Sequence, residues 1–173
     1  LVDYGNFDQD GDHNSPLIYP VRTFYRSAPG VSKHYRRNDR IRRPDLAKCR
    51  ILYIPTTYSG NDLYGPFHIY EDAVYQQWHF ELFGALSGLT MKVHPKSKSE
   101  PKTGTKVERR QLEDCIRDYD LLIFDYFATG AMLALASEKP VIYFDIGLRR
   151  LAPEFIRDLK NRCEYAKIDL SAD

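Results

Sequence analysis

The sequence predicts an α/β domain built on a doubly wound parallel sheet. Three observations predict it. From Arg50 onward, short apolar runs alternate with segments of helical spacing. The runs are continuously apolar, as in strands covered on both faces. Each of the main runs also ends in polar or small residues, where an open α/β sheet places its ligands.

The elements follow in order. Ile51-Leu52-Tyr53-Ile54 is a β-type run stopped by Pro55, and a loop through Ser59-Gly60-Asn61 and Gly65-Pro66 comes next. Glu71 to Leu86 has helical spacing, with Val74, Trp78, Leu82 and Ala85 on one face. Leu89 to Val93 is a second strand, ending at His94-Pro95. Lys96 to Lys106, rich in Lys, Ser, Pro and Gly, is a loop, and Glu108 to Arg117 reads as a helix. Leu121 to Phe124 is a third strand, ending at Asp125, and Gly130 to Ser137 is the helix after it. Val141 to Phe144 is a fourth strand, ending at Asp145. Pro153 to Asn161 is a helix with proline in its first turn, and Glu164 to Ile168 is a fifth strand. Right-handed crossovers follow from that alternation.

Two regions differ in texture. Residues 1–48 form an irregular N-terminal or interdomain segment, with Asp, Asn, Gly and Pro clusters and a basic run from His34 to Arg43. Residues 49–173 form the folded domain. The length of 173 residues and the 43% hydrophobic content allow one ordinary core. A net charge of +1 gives no bulk argument for nucleic acid, which is not expected as a partner. No apolar run approaches the ~20 residues of a membrane span. The first residue is Leu1, so the chain is read as a piece of a longer enzyme. Cys49, Cys115 and Cys163 are scattered and odd in number, as expected of reduced thiols in a cytoplasmic protein.

Several motifs are set aside on spacing. Asp8-Gln-Asp10-Gly-Asp12 has its glycine too early for a calcium loop, and Tyr19 stands where the closing acid belongs. Lys102-Thr-Gly-Thr-Lys106 lacks the order of a P-loop. Neither a Gly-x-Gly-x-x-Gly turn nor a Gly-x-Ser-x-Gly elbow is present, which argues against a nicotinamide dehydrogenase and an α/β hydrolase.

Small and polar residues gather at the expected strand ends: Thr56 and Thr57 after the first, His94, Pro95 and Lys96 after the second, and Asp125 to Gly130 after the third. Thr129 is placed to cap the following helix, whose first-turn amides and dipole favour an anion such as phosphate. An ordinary capped turn accounts for this segment equally well. His94 can donate to a phosphate or act as acid or base, and a strand-end histidine can also simply bond a neighbouring carbonyl.

The stretches Lys92-Val-His94-Pro95-Lys96, Asp120-Leu-Leu-Ile-Phe-Asp125-Tyr-Phe-Ala-Thr129-Gly and Ala136-Ser-Glu-Lys139-Pro140-Val-Ile-Tyr143 resemble the C-terminal, donor-nucleotide domain of GT-B glycosyltransferases. The likeness is to the capsule, teichoic-acid and sialic-acid polymerising group, which carries a His-Pro motif and a hydroxyl motif after a strand-end Asp. It covers residues 50 to about 168. The resemblance implies a Rossmann-like half of a GT-B fold and a metal-independent transferase of surface-polysaccharide synthesis without a cofactor. Its substrates would be a nucleotide-sugar or nucleotide-polyol donor, CMP- or CDP-linked rather than UDP-linked, and a glycan acceptor. It implies a cytoplasmic location at the inner face of the membrane, with any peripheral membrane contact made through the missing part.

Carried over by residue, the resemblance makes His94 the catalytic or phosphate-holding histidine. Thr56, Thr57, Pro95, Lys96, Asp125, Thr129 and Gly130 become donor-binding positions. Phe127 and Ala128 stand where the group often carries hydroxyls, which leaves Thr129 alone. No Glu-x7-Glu pattern lies between Asp125 and Pro140, and no Gly-Gly-Glu series follows Asp125. A nucleotide-sugar 2-epimerase relative, with Asp125 and Asp145 as its carboxylates, and a non-catalytic module of the same fold are the alternatives.

Overall fold

A computed structural model of the chain describes residues 44–57, 71–86, 88–95, 97, 104, 106–137, 139–148 and 151–171. Most of the 1–48 segment lies outside them. Pro44 to Arg50 form a turn, with the Asp45 carbonyl accepting from the amides of Lys48 and Cys49.

The described strands are β1 (Ile51–Ile54), β2 (Leu89–Lys92), β3 (Lys106–Glu108), β4 (Leu121–Phe124), β5 (Val141–Asp145) and β6 (Glu164–Lys167). The helices are α1 (Asp72–Ala85), α2 (Leu112–Cys115) continued by a 3-10 turn (Ile116–Asp118), α3 (Thr129–Ala136) and α4 (Pro153–Arg162). All strand pairs are parallel and the order is β3-β2-β1-β4-β5-β6. This is the Rossmann order, so the expected doubly wound sheet is what forms.

Continuous apolarity works as anticipated. Along β4 every residue is buried, and in β1 successive side chains serve opposite faces. Leu52, Leu122, Phe124, Val141 and Tyr143 pack with Leu112, Ala131, Leu133, Phe155 and Leu159 from α2, α3 and α4. Ile51, Tyr53, Met91, Leu121 and Ile123 pack on the other face with Leu82 and Trp78 of α1. Helix α3 is apolar nearly all round because it is buried, with Ala131, Leu133, Ala134 and Leu135 inside.

Two expectations need correction. Lys106 to Glu108, divided in the sequence reading between a loop and a helix start, is a third edge strand registered on Thr90 to Lys92. Its one apolar residue, Val107, leaves too short a pattern to announce a strand, and pairing with β2 decides it. The helix that follows is correspondingly shorter. In α1 the buried residues are Tyr75, His79 and Leu82, while Ala85 is exposed. Aromatic residues surround this helix, so periodicity alone misjudges which side faces the sheet.

At the end of β3, Glu108 is gripped by Arg110 through Nε to Oε1 (3.0 Å) and NH2 to Oε2 (2.6 Å), and by the Tyr119 hydroxyl at 3.2 Å. The Arg110 guanidinium holds its carboxyl down at about 2, against an ordinary value of 4.5. A depressed carboxyl contributes stability that is complete above its unfolded value and is lost as pH falls through the folded one. The stability gap between the wild type and Glu108→Gln is therefore expected to be constant above about pH 5. It should close progressively toward about pH 2, as read by denaturant midpoints across that range.

Candidate functional site: the carboxyl edge of the sheet

The strand order has a consequence for ligands. From β1 the chain winds outward through β2 and β3, and from β4 it winds the other way through β5 and β6. The two connections diverge between the carboxyl ends of β1 and β4, and the crevice left there is where such sheets bind ligands. Pro55, Thr56 and Thr57 leave β1 at this point, and Asp125 to Ala128 leave β4.

Asp125 joins the two ends. Its carboxyl is buried, 1% exposed. The Thr56 amide donates to Oδ1 at 2.7 Å, and the Tyr53 hydroxyl donates to Oδ2. His79 Nε2, on α1, lies 3.5 Å from Oδ2. The Trp78 indole N–H donates to the Tyr53 oxygen at 3.1 Å, and the rings of Tyr53 and His79 meet edge to face. The carboxylate therefore faces the interior. Its hydrogen-bonding capacity is thus largely taken up by the protein itself. The Thr56 amide is consumed by the same interaction, and its side chain is buried; Thr57 behind it is half-buried.

Sequence reasoning missed Tyr53 and His79 as members of this cluster. The available signal was a phenol within a fully apolar strand, since a buried tyrosine hydroxyl needs a partner. Nothing in the spacing shows that the partner lies 72 positions away.

Helix α3 opens beside this clasp. Ala128, in extended conformation, occupies its N-cap position and Thr129 is the first helical residue. The expected threonine cap is thus displaced by one residue, and Ala128 itself makes no side-chain cap bond, since alanine has no oxygen to offer. Gly130 serves packing here. A Cβ at this position would lie 3.1 Å from Leu112 Cδ2 and 3.7 Å from Phe124 Cε1.

His94 and Pro95 are exposed beyond β2, in a turn closed by the Ser97 amide donating to the His94 carbonyl at 2.9 Å. Lys96 lies outside the described residues. β1 lies between β2 and β4, so the His94 turn and the start of α3 are not on adjacent strands. Two strand spacings separate them laterally, about 10 Å. One phosphate group cannot meet both, and a ligand touching both must be extended.

The other strand-end acid is also engaged. Asp145 accepts from the Tyr165 hydroxyl at 2.5 Å and from the Gly147 amide at 3.1 Å. Burial, with the Asp145 carboxylate beside it, pushes the Tyr165 phenol well above its usual range. The thiols are not nucleophiles at neutral pH: burial pushes Cys115 up to about 11 and Cys163 up to about 12. Among the described residues no helix is long and apolar enough to cross a membrane.

No protein-family model matches the chain, and no curated protein matches it. Among solved structures it is similar to the glycotransferase of kitacinnamycin, at 16% identity and a TM-score of 0.42, over 76% of this chain and 33% of that one. The chain thus spans about a third of the length of that structure. The described residues by themselves establish a Rossmann-like parallel sheet with its switch point between β1 and β4.

Proposed function

We propose that this domain holds the nucleotide-activated donor of a surface-polysaccharide glycosyltransferase or glycerophosphotransferase, with the donor phosphates over the β1/β4 crevice. The observation that carries this reading is the start of α3, a helix N-terminus opening at the switch point of the sheet. The His-Pro and Asp-to-Gly130 motifs add to it, since both lie on this edge.

The chemistry follows from placement. The positive end of the α3 dipole stabilises charge that builds on the leaving phosphate as the donor bond breaks. His94, one strand beyond β1, reaches a different part of an extended donor, such as its second phosphate. Asp125 keeps the two strand ends in register and touches no ligand. A metal is not required where backbone and side-chain donors carry the phosphate charge, and the acceptor and its general base belong to a partner domain. The epimerase reading is disfavoured, because Asp125 and Asp145 are both taken up by tyrosine hydroxyls.

Titration calorimetry with CMP, CDP and UDP tests the reading. CMP or CDP is expected to bind more tightly than UDP, and His94→Ala to weaken binding about tenfold. No heat from any of the three at millimolar concentration would overturn it.

A further inference from the structure

Lys92, the last residue of β2, is the least explained charge in the described part of the protein. It is 6% exposed, and Nζ makes one hydrogen bond, to the Val93 carbonyl at 3.1 Å. Among the described residues no carboxylate pairs with it. The natural candidate is Glu108, its register partner on β3, on the same face of the sheet. Glu108 is already committed: Oε1 accepts from the Arg110 amide and Nε, and Oε2 from Arg110 NH2 and the Tyr119 hydroxyl. Arg110 is further paired with Asp118 at 2.8 Å. Glu108 is thus held by another cation, and among the described residues the Lys92 ammonium has the Val93 carbonyl as its one hydrogen-bond acceptor.

Buried ammonium groups are costly unless paired, and fully buried lysines are rare for that reason. A methionine would fill the same space without the penalty. The carbonyl that Lys92 does bond belongs to the residue before His94, so the ammonium is drawn toward the carboxyl edge.

We propose that Lys92, the buried lysine at the end of β2 bonded to the Val93 carbonyl, is an anion-binding residue, and that its partner is a phosphate group of the ligand. This rests on the donor-binding reading and deepens it. Lys92 and His94 lie at the end of the same strand and take one phosphate group of the donor between them.

The test uses the whole 173-residue chain, with pyrophosphate and CDP as probes. Lys92→Met is expected to weaken binding of both at least tenfold, with its thermal midpoint at or above that of the wild type. A purely structural lysine would instead lower the midpoint and leave affinity unchanged. As a measurement free of any variant, the Lys92 side-chain ammonium resonance of the wild type is followed while pyrophosphate is added, and it is expected to shift. Unchanged pyrophosphate affinity in Lys92→Met, or a resonance that does not move, overturns the proposal. CDP binding indifferent to Lys92 would sink this proposal and leave the donor reading standing. Pyrophosphate binding that depends on Lys92, without any binding of CDP, would do the reverse.

Discussion

Asp125→Ala is expected to remove about 3 kcal/mol of unfolding free energy, a large part of what a domain of this size has. The substitution leaves the Tyr53 hydroxyl and the Thr56 amide as buried donors without their acceptor and strips His79 of its carboxylate neighbour. It does so at the point where β1, β4 and α1 meet. Urea unfolding with an unchanged m-value measures the loss. A loss below about 1 kcal/mol would show that the carboxylate does not hold the two strand ends together. Asp125→Asn keeps the shape and one acceptor oxygen, so it should cost about half as much. In both variants the Thr56 amide exchanges faster with solvent, because its acceptor is gone or weakened. Donor binding falls with it: the crevice loses the contact that fixes its width, although Asp125 itself does not touch a ligand.

Arg162→Ala is expected to cost a similar amount, about 3 kcal/mol, at the opposite end of α3. The guanidinium of this residue, the last of α4, is half-buried and donates to carbonyls. Its Nε donates to Leu135 at 2.7 Å, and NH2 to Ser137 at 2.6 Å, Lys139 at 3.2 Å and Ala134 at 3.3 Å. These include carbonyls that the end of a helix leaves without partners, and a cation there also meets the negative end of the dipole. Burial lowers the pKa of the guanidinium from its ordinary value. Arg162→Lys should recover less than half of the loss, since one ammonium cannot replace a fork of donors that reaches four carbonyls. Thermal unfolding of the three proteins checks the order wild type, Lys, Ala. A lysine variant as stable as the wild type would mean that charge alone, and not the fork of donors, secures the helix. Because α3 carries the proposed phosphate site at its other end, loosening Ser137 should also weaken CDP binding, by less than His94→Ala does.

The sequence by itself determined the class of fold and the edge on which chemistry belongs. Continuous apolar runs such as Leu121 to Phe124 are buried on both faces wherever they are placed in a parallel sheet, and proline fixes the start of α4 through its own ring. These are local properties, readable from residue type and spacing. The third strand was not legible, because Lys106-Val107-Glu108 is too short and too charged to declare itself without β2 beside it. Only the tertiary structure decided the strand order. That order put β1 between the His94 turn and α3, so that two motifs expected to share one phosphate lie apart. It also turned Asp125 inward, onto a tyrosine and a histidine far away in sequence, and left Lys92 buried beside an acid already held by arginine. Which partner a buried polar group finds depends on distances across the folded chain, and residue spacing carries no record of them.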